Sequence, residues 1–324
     1  MRLRSVVVGI AVGAFVPAMA FAYTGVFQSA FTATANSNPT GMALGDYDHD
    51  GAPDVVTCNA GTGGNQLTVL VGFLACAGGS NNAQSCTQPS DCNGAMCLPD
   101  GTLNQASTID LGTFPAGLVQ GKFDADQIND IIIARANDDS IVFLKGTGDA
   151  NFFMPPGDPI AAGHSPVALA TADMDGDGLL DLVAANEGSS DTSPGAVTVL
   201  RGHGDGTFTL VEQNDPTMPG MSIDSLPTDI GTSMVAIGHL DSGPGLDVLA
   251  LNTRANNISV FTSDGHEALT PQGTIPAPGA PQDLALVDLN KDGKLDLVLA
   301  STNTDSVTVQ FGNGDRTFGA VPTG

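Results

Sequence analysis

Asp173-Met-Asp-Gly-Asp-Gly-Leu-Leu-Asp181, followed by the apolar pair Leu182-Val183, carries more structural information than any other segment of this chain. Side-chain oxygens stand at its positions 1, 3, 5 and 9, and a glycine at position 6 permits a sharp turn. A hard cation such as Ca²⁺ requires oxygen ligands at this spacing. Segments 46–54 and 288–296 repeat both the pattern and the apolar sequel. The three copies indicate a chain built from repeated calcium loops.

One calcium site is predicted in each complete loop. The ligands are the side chains at positions 1, 3, 5 and 9 and the backbone carbonyl at position 7. They are Asp46, Asp48, Asp50, Ala52 and Asp54; Asp173, Asp175, Asp177, Leu179 and Asp181; and Asp288, Asn290, Asp292, Lys294 and Asp296. The alternative is a solvated turn without an ion. Carboxylates crowded into one turn repel one another, which favours the metal-binding interpretation.

Two incomplete copies of the loop lie between the complete ones, at 122–130 and 239–247. Their remaining carboxylates are Asp124, Asp126 and Asp130 in one copy, and Asp241 and Asp247 in the other. Lys122 stands at position 1 of the former, where either a fourth calcium ion or the ammonium group itself could balance the carboxylates. His239 stands at position 1 of the latter, which is predicted to hold no ion. The five copies begin 49 to 76 residues apart, as in an array of supersecondary units.

The segments around each loop are predicted to be β-strands. A stretch introduced by proline precedes the loop, as at 166–170, and a short apolar run such as 181–186 follows it. Runs of this length, bounded by Gly, Asn and Asp, favour buried strands over helices. An alternating segment such as 306–311 and a more polar fourth segment complete each unit. The prediction is an all-β propeller of about five four-stranded blades, with the Asp loop between the first and second strands.

Helical calcium-binding modules are the main alternative for such loops. An EF-hand needs flanking helices and a bidentate Glu at position 12. Position 12 is Thr57, Ala184 or Leu299 here, and each lies inside a predicted strand. Dockerin-type modules also place these loops on helices, in closer tandem. Both alternatives are therefore disfavoured.

The chain resembles the FG-GAP/VCBS repeat family of calcium-loop β-propellers, found in integrin α-subunit heads and in many secreted bacterial proteins. The Asp loops and the Gly-x-Gly-Asp-x-x-Phe turns at 202–208 and 312–318 carry the resemblance, which extends over residues 39–324. It implies the propeller fold and bound Ca²⁺. It leaves activity open, because the family includes adhesion heads, lectin-like binders and appendages of enzymes. Five repeats are fewer than in the integrin-type propeller.

An export signal is predicted at residues 1–22, which leaves a single propeller domain at 23–324. Arg2 and Arg4 form a basic start, residues 5–16 are apolar, and Ala20-Phe-Ala22 is a small-x-small cleavage site. A secreted, periplasmic or cell-surface location is therefore expected. The apolar stretch is too short for a membrane anchor, and the chain has no other long apolar run.

The charge balance argues against a nucleic-acid partner. The full chain carries 35 acidic and 10 basic side chains, a formal net charge of −25. Loss of Arg2 and Arg4 with the signal peptide would make this −27. Phosphate binding relies on clustered lysine and arginine, which this composition does not supply.

The cysteines mark an insertion at 75–99 in the first blade, between its third and fourth strands. Cys76, Cys86, Cys92 and Cys97 fall within it. In an exported chain they predict two disulfides, with three connectivities open. A zinc site is the alternative. Cys58 lies in a predicted inner strand and is expected to be a buried free thiol.

The expected function is a non-catalytic binding or adhesion scaffold for a protein or a surface ligand. No Gly-x-Ser-x-Gly or His-Glu-x-x-His motif is present. A lectin-like propeller is one alternative, although a chain with no Trp and two Tyr offers few stacking aromatics. A hydrolase or lyase with its site at the central channel is another. The sequence does not predict the oligomeric state.

Closure of the propeller is expected to involve the N-terminal segment. The last repeat runs out of sequence before a full fourth strand can form. Residues 25–35 mix apolar and polar side chains as the other fourth strands do, and they have no blade of their own. They are predicted to pair as the outer strand of the final blade, which would cover a free sheet edge.

Overall fold

The computed structural model describes residues 38–61, 64–77, 85–86, 96–157, 159–190, 192–214 and 222–319. Within these ranges the chain forms antiparallel sheets and one short 3₁₀ turn, η1 (Ala136–Asp138), with no α-helix. The sheets are arranged as a five-bladed β-propeller, so the predicted fold class is confirmed. No helix in these ranges is long and apolar enough to cross a membrane. The predicted signal peptide and the segment 25–35 lie outside the described residues.

The first two blades follow the chain order from the inner to the outer strand. The first contains β1 (Pro39–Gly45), β2 (Asp54–Gly61), β3 (Gly64–Ala77) and β4 (Met96–Asp110). The second contains β5 (Pro115–Gly121), β6 (Asp130–Arg135), β7 (Ser140–Gly146), β8 (Phe152–Phe153) and β9 (Ile160–Ala161). Both β8 and β9 pair with β7, so the outer strand of this blade is broken in two. The break falls at Pro155 and Pro156, because proline has no N–H to donate to the hydrogen-bond ladder between strands.

The other three blades keep the same order. The third contains β10 (Pro166–Ala172), β11 (Asp181–Asn186), β12 (Pro194–Gly202), β13 (Phe208–Leu210) and, after the small hairpin of β14 (Gln213–Asn214) and β15 (Ser222–Ile223), β16 (Leu226–Ile230). The fourth contains β17 (Thr232–Gly238), β18 (Asp247–Asn252), β19 (Asn257–Ser263) and β20 (Leu269–Pro276). The fifth contains β21 (Pro281–Val287), β22 (Asp296–Ser301) and β23 (Ser306–Gln310). The prediction of four strands therefore holds for the first and fourth blades, while the fifth has three among the described residues.

The innermost strand of each blade is less buried than the second strand. Every residue of β11 is buried, whereas most of β10 is only partly buried. The prediction that the first two strands are the most buried is wrong for the first of them. The inner strand is the edge of its sheet and packs near the propeller axis against the inner strands of neighbouring blades. Small residues allow this approach, since a Cβ at Gly117 would lie 2.8 Å from the carbonyl oxygen of Val167.

The hydrophobic core consists of four layers, each between two consecutive blades. Five of the six residues predicted to pack between blades are fully buried: Leu182, Val183, Val248, Leu249 and Leu297. Val298 is only half-buried, because it lies on the face of the fifth blade that points away from the fourth. Val307, on the same face, is 69% exposed.

A repeated contact anchors four of the five loops to the following blade. Tyr47, at loop position 2, meets Phe152 edge to face with ring centroids 5.4 Å apart, and Phe123 meets Phe208 in the same way at 5.7 Å. Met174 and Leu240, at the same position, are buried in the next two layers. Leu289 of the fifth blade is 49% exposed. The position-2 side chain is therefore a hydrophobic anchor in four blades out of five.

The cysteine-containing insertion extends the β3–β4 hairpin, as predicted. Cys86 and Cys97 form a disulfide with their Cα atoms 6.0 Å apart. The side chains of Cys76 and Cys92 lie outside the described residues, so the second disulfide stays a prediction. Cys58 is free and buried, and burial raises its pKa to about 11. A thiol in this environment is not a nucleophile at neutral pH.

Candidate functional site

All five Asp loops occupy the same place in their blades. Each connects the first strand to the second, and the Asp at position 9 is the first residue of the second strand. These residues are Asp54, Asp130, Asp181, Asp247 and Asp296. The predicted position of the loops is therefore confirmed, and the fold gives each of them the same strand-to-strand frame.

The three complete loops share one hydrogen-bond pattern. In the third blade, the N–H of Gly178 at position 6 donates to Asp173 Oδ2 at 2.9 Å, and the N–H of Leu179 at position 7 donates to Asp177 Oδ1 at 2.8 Å. The N–H of Asp177 donates to Asp175 Oδ1 at 3.0 Å. The corresponding bonds in the other two loops are 2.7–3.2 Å long. Because φ is between +86° and +91° at position 6 in all three loops, glycine is required there.

This pattern directs several carboxylates towards one another. Asp46, Asp48 and Asp50 each offer an oxygen within 4.8 Å of the others, and so do Asp173, Asp175 and Asp181. Asp46 Oδ1 is buried and accepts no hydrogen bond within the described part of the chain. A buried carboxylate oxygen without a donor is costly unless a cation or water satisfies it. In the fifth blade Asp288, Asn290 and Asp292 make the same turn.

The donor set fits Ca²⁺ by its chemistry. The side chains at positions 1, 3 and 5 supply only carboxylate or amide oxygens, which are the ligands of a hard cation. The residues that would hold the ion are those predicted above, and in the third blade Asp181 lies close to Asp173 and Asp175. The contribution of the position-7 carbonyls stays a prediction.

The Asp at position 9 also has a structural role that the sequence analysis missed. Asp181 accepts the N–H of Met174 at 2.8 Å on one oxygen and the N–H of Gly202 at 2.9 Å on the other. The same two bonds recur in all five blades, where they tie the loop to the third strand or to the residues just after it. Burial raises the pKa of Asp181 and Asp130 to about 6, although these amides lower it. We call this arrangement the carboxylate brace.

A glycine in or just after the third strand makes the brace compact in four blades. A Cβ added to Gly202 would lie 2.1 Å from the carbonyl oxygen of Leu180, and Gly72, Gly146 and Gly312 are equally crowded. The fourth blade has Ser263 at this position, and its N–H lies 3.4 Å from Asp247 Oδ1. The recurring glycine was visible in the sequence, but its partner across the blade was not.

In the incomplete loops, basic side chains contact the remaining carboxylates. Lys145, on β7, contacts Asp124 and Asp126, which are at loop positions 3 and 5. Within the described part of the chain, Lys122, the candidate from the sequence, contacts the side chain of Gln127, at 3.5 Å, and not the loop carboxylates. In the fourth blade Arg316 contacts Asp241 and Asp247.

A groove of about 660 Å³ lies between the fourth and fifth blades. Gln272, Thr274 and Ile275 of β20 line one side, and Thr317 and Phe318 of the last turn line the other. Its walls combine apolar surface with hydrogen-bonding groups, as binding sites for ligands commonly do.

Comparison with known proteins identifies the repeat. The family model described as FG-GAP-like repeat matches residues 122–184, 173–231 and 245–299, which together are just over half of the chain. Among curated proteins, none matches this sequence.

Several solved structures are similar at low identity. BBS1N in complex with ARL6DN, soaked with lead, is 13% identical with a TM-score of 0.49, over 89% of this chain and 69% of that one. A functionally unknown protein from Desulfotomaculum acetoxidans DSM 771 is 14% identical with a TM-score of 0.49, over 90% and 87%. A protein from Lactobacillus plantarum is 13% identical with a TM-score of 0.49, over 89% and 72%. At this sequence identity and TM-score, the similarities do not indicate a function for this chain.

Proposed function

The chain belongs to the FG-GAP-like repeat family, and on this basis we propose that it is an exported, calcium-stabilised scaffold that binds a protein or a surface ligand without catalysis. The observation that carries the calcium proposal is the loop geometry, repeated in the first, third and fifth blades. The clustered carboxylates of the first and third loops, and the buried Asp46 Oδ1 that accepts no hydrogen bond within the described residues, support a bound cation. The predicted signal peptide supports export.

Calcium would act by stabilising the folded loops. The ion contacts residues that are close together only in the folded chain, so it shifts the folding equilibrium by mass action. At a free concentration of 100 times Kd, one site contributes about 2.7 kcal/mol. The scaffold would then hold its binding surface rigid in a calcium-containing extracellular medium.

The groove between the fourth and fifth blades is the proposed ligand surface. It is lined by exposed Gln and Thr side chains with Ile275 and Phe318 beside them. The groove lies where two blades meet, so loosening either blade would change its shape. Binding should therefore depend on calcium indirectly.

The test uses the full mature chain after removal of divalent ions with a chelator. Titration with Ca²⁺ in a calorimeter should give three ions per chain, and the melting temperature (Tm) should rise. An unchanged Tm without binding heat would refute calcium stabilisation.

Capture from a cell-surface extract, with and without chelator, then tests the groove. Thr274→Arg should abolish calcium-dependent capture, while Thr108→Arg, an exposed Thr on the outer strand of the first blade, should not. Equal capture by both variants would exclude the groove, and turnover of a polysaccharide would point to an enzyme.

A further inference from the structure

The two incomplete loops each receive a basic side chain from another part of the fold. Both have lost the acidic residue at position 1, which is Lys122 in the second blade and His239 in the fourth. Without that residue the loop has fewer oxygens to offer a divalent ion. The basic side chains come from different elements, β7 in one case and the last turn of the fifth blade in the other.

Lys145 is held at the centre of the second loop. Its Nζ contacts Asp124 Oδ2 and lies 2.8 Å from Asp126 Oδ2. These are positions 3 and 5, the same positions that face one another in the complete loop of the first blade. The Asp124 side chain is only 8% exposed, whereas Lys145 is 32% exposed, so the pair is partly buried. Lys145 precedes Gly146, whose N–H completes the carboxylate brace, so the brace itself sets where the ammonium lies.

Arg316 reaches the fourth loop from the next blade. Its Nη2 lies 2.8 Å from Asp241 Oδ2 and its Nε lies 3.4 Å from Asp247 Oδ1. Its own N–H donates to the carbonyl of Leu240 at 3.0 Å, which fixes the backbone beside the loop. Ala150 and Gly206 make the same backbone bond to Tyr47 and Phe123. Of these three equivalent residues, only Arg316 has a basic side chain.

The complete loops have fewer contacts between their carboxylates and basic side chains. Within the described part of the chain, no lysine or arginine lies within 4.0 Å of the carboxylates of the first and fifth loops. In the third loop Arg201 lies 3.2 Å from Asp175, but its main partner is the buried Glu267, which it contacts with two nitrogens. A basic side chain therefore contacts two carboxylates in each loop that lacks an acid at position 1, but only one carboxylate in the complete third loop.

We propose that Lys145 and Arg316 are internal replacements for the divalent cation, so that the second and fourth loops bind no metal ion. The donor sets of these loops do not fit Ca²⁺, because a fixed positive charge already contacts the carboxylates that would bind it. Two of the five blades are then braced at any calcium concentration. These blades flank the third, and they would preserve the propeller while the other loops lose their ions.

The test compares two lysines of the same loop in the full chain. Lys145→Met should lower Tm by about 2–4 °C in chelator and equally in Ca²⁺, because it leaves two carboxylates unpaired. Lys122→Met, the matched control, should leave Tm unchanged. The double variant Lys122→Asp/Lys145→Ala restores the acid at position 1 and removes the competing ammonium. It should bind one more Ca²⁺ than the unaltered chain in calorimetry.

Amide hydrogen exchange tests the same proposal in the unaltered chain, where no substitution can disturb the fold. Amides of segments 122–130 and 239–247 that exchange through local opening should do so at the same rate with and without Ca²⁺, whereas amides that exchange through global unfolding report only the stability of the whole chain. Increased protection of the locally exchanging amides by Ca²⁺ would overturn the proposal, and so would a Lys145→Met protein as stable in chelator as the original. Failure of the double variant to gain an ion, in a chain that binds three, would also overturn it. If no loop binds calcium, the proposed function fails, but the comparison of Lys145→Met with Lys122→Met in chelator still decides this inference.

Discussion

The loops of the second and third blades share one backbone frame and differ in what balances their carboxylates. In both, the Asp at position 9 accepts one N–H from loop position 2 and another from a glycine at the end of the third strand. In the third blade the carboxylates at positions 1, 3 and 9 each offer an oxygen within 4.8 Å of the others. In the second blade Lys145 contacts those at positions 3 and 5.

The acidic residues of the loops have two roles that look alike in the sequence. One carboxylate per loop holds the blade together through backbone amides, and it is present in all five blades. The other acidic residues concentrate negative charge, which Lys145 and Arg316 offset in the second and fourth blades and which the proposed calcium ions would offset in the others. The first role is therefore structural, and the second depends on the local balance of charge.

The shared frame should be most sensitive to a methyl group at its closest contact. Gly202→Ala and Gly146→Ala should each cost about 3–4 kcal/mol in the free energy of unfolding, because a backbone carbonyl lies 2.1–2.2 Å from the added Cβ. Gly157→Ala, where nothing lies within 4 Å, should change stability by less than about 0.5 kcal/mol. Chemical denaturation measures all three. A tolerated Gly146→Ala beside a damaging Gly202→Ala would show that the two loops do not share one frame.

The hydrophobic anchor at position 2 should matter in the fourth blade and not in the fifth. Leu240→Ala should cost about 2–3 kcal/mol, because Leu240 is buried in the layer between these blades. Leu289→Ala, the same substitution at the same loop position, should cost less than about 0.5 kcal/mol, since Leu289 is half-exposed. Denaturant titration compares the two variants. An equal loss of stability would mean that Leu289 packs against residues outside the described part of the chain.

The two roles of aspartate should separate in calcium dependence. Asp130→Ala removes the acceptor of two buried N–H groups and should cost about 2 kcal/mol with or without Ca²⁺. Asp177→Ala removes an exposed carboxylate that accepts one loop amide, so it should lower Tm only when Ca²⁺ is present. Thermal melts in chelator and in Ca²⁺ measure both. A calcium-dependent loss in Asp130→Ala would assign that carboxylate to an ion site after all.

Much of this fold could be predicted because its signals are local and repeated. The Asp loop, its glycine at position 6 and the apolar run after Asp181 are each read within a few residues, and their recurrence indicates the blades. The outer strands were harder to predict. In the second blade Pro155 and Pro156 break the outer strand, and in the third the small hairpin of β14 and β15 separates its two parts.

The sequence by itself determined the blade repeat, the position of the loops and the clustering of acidic residues, because these depend on neighbours along the chain. Only the tertiary structure decided which basic side chain contacts the carboxylates of which loop. Lys145 lies 21 residues from Asp124, and Arg316 lies 69 residues from Asp247, so no spacing rule connects them. The same holds for the carboxylate brace, whose glycine comes 16 to 21 residues after its aspartate. Such pairs form only when strand pairing and the contact between blades bring distant segments together, and the charges then balance in space rather than along the sequence.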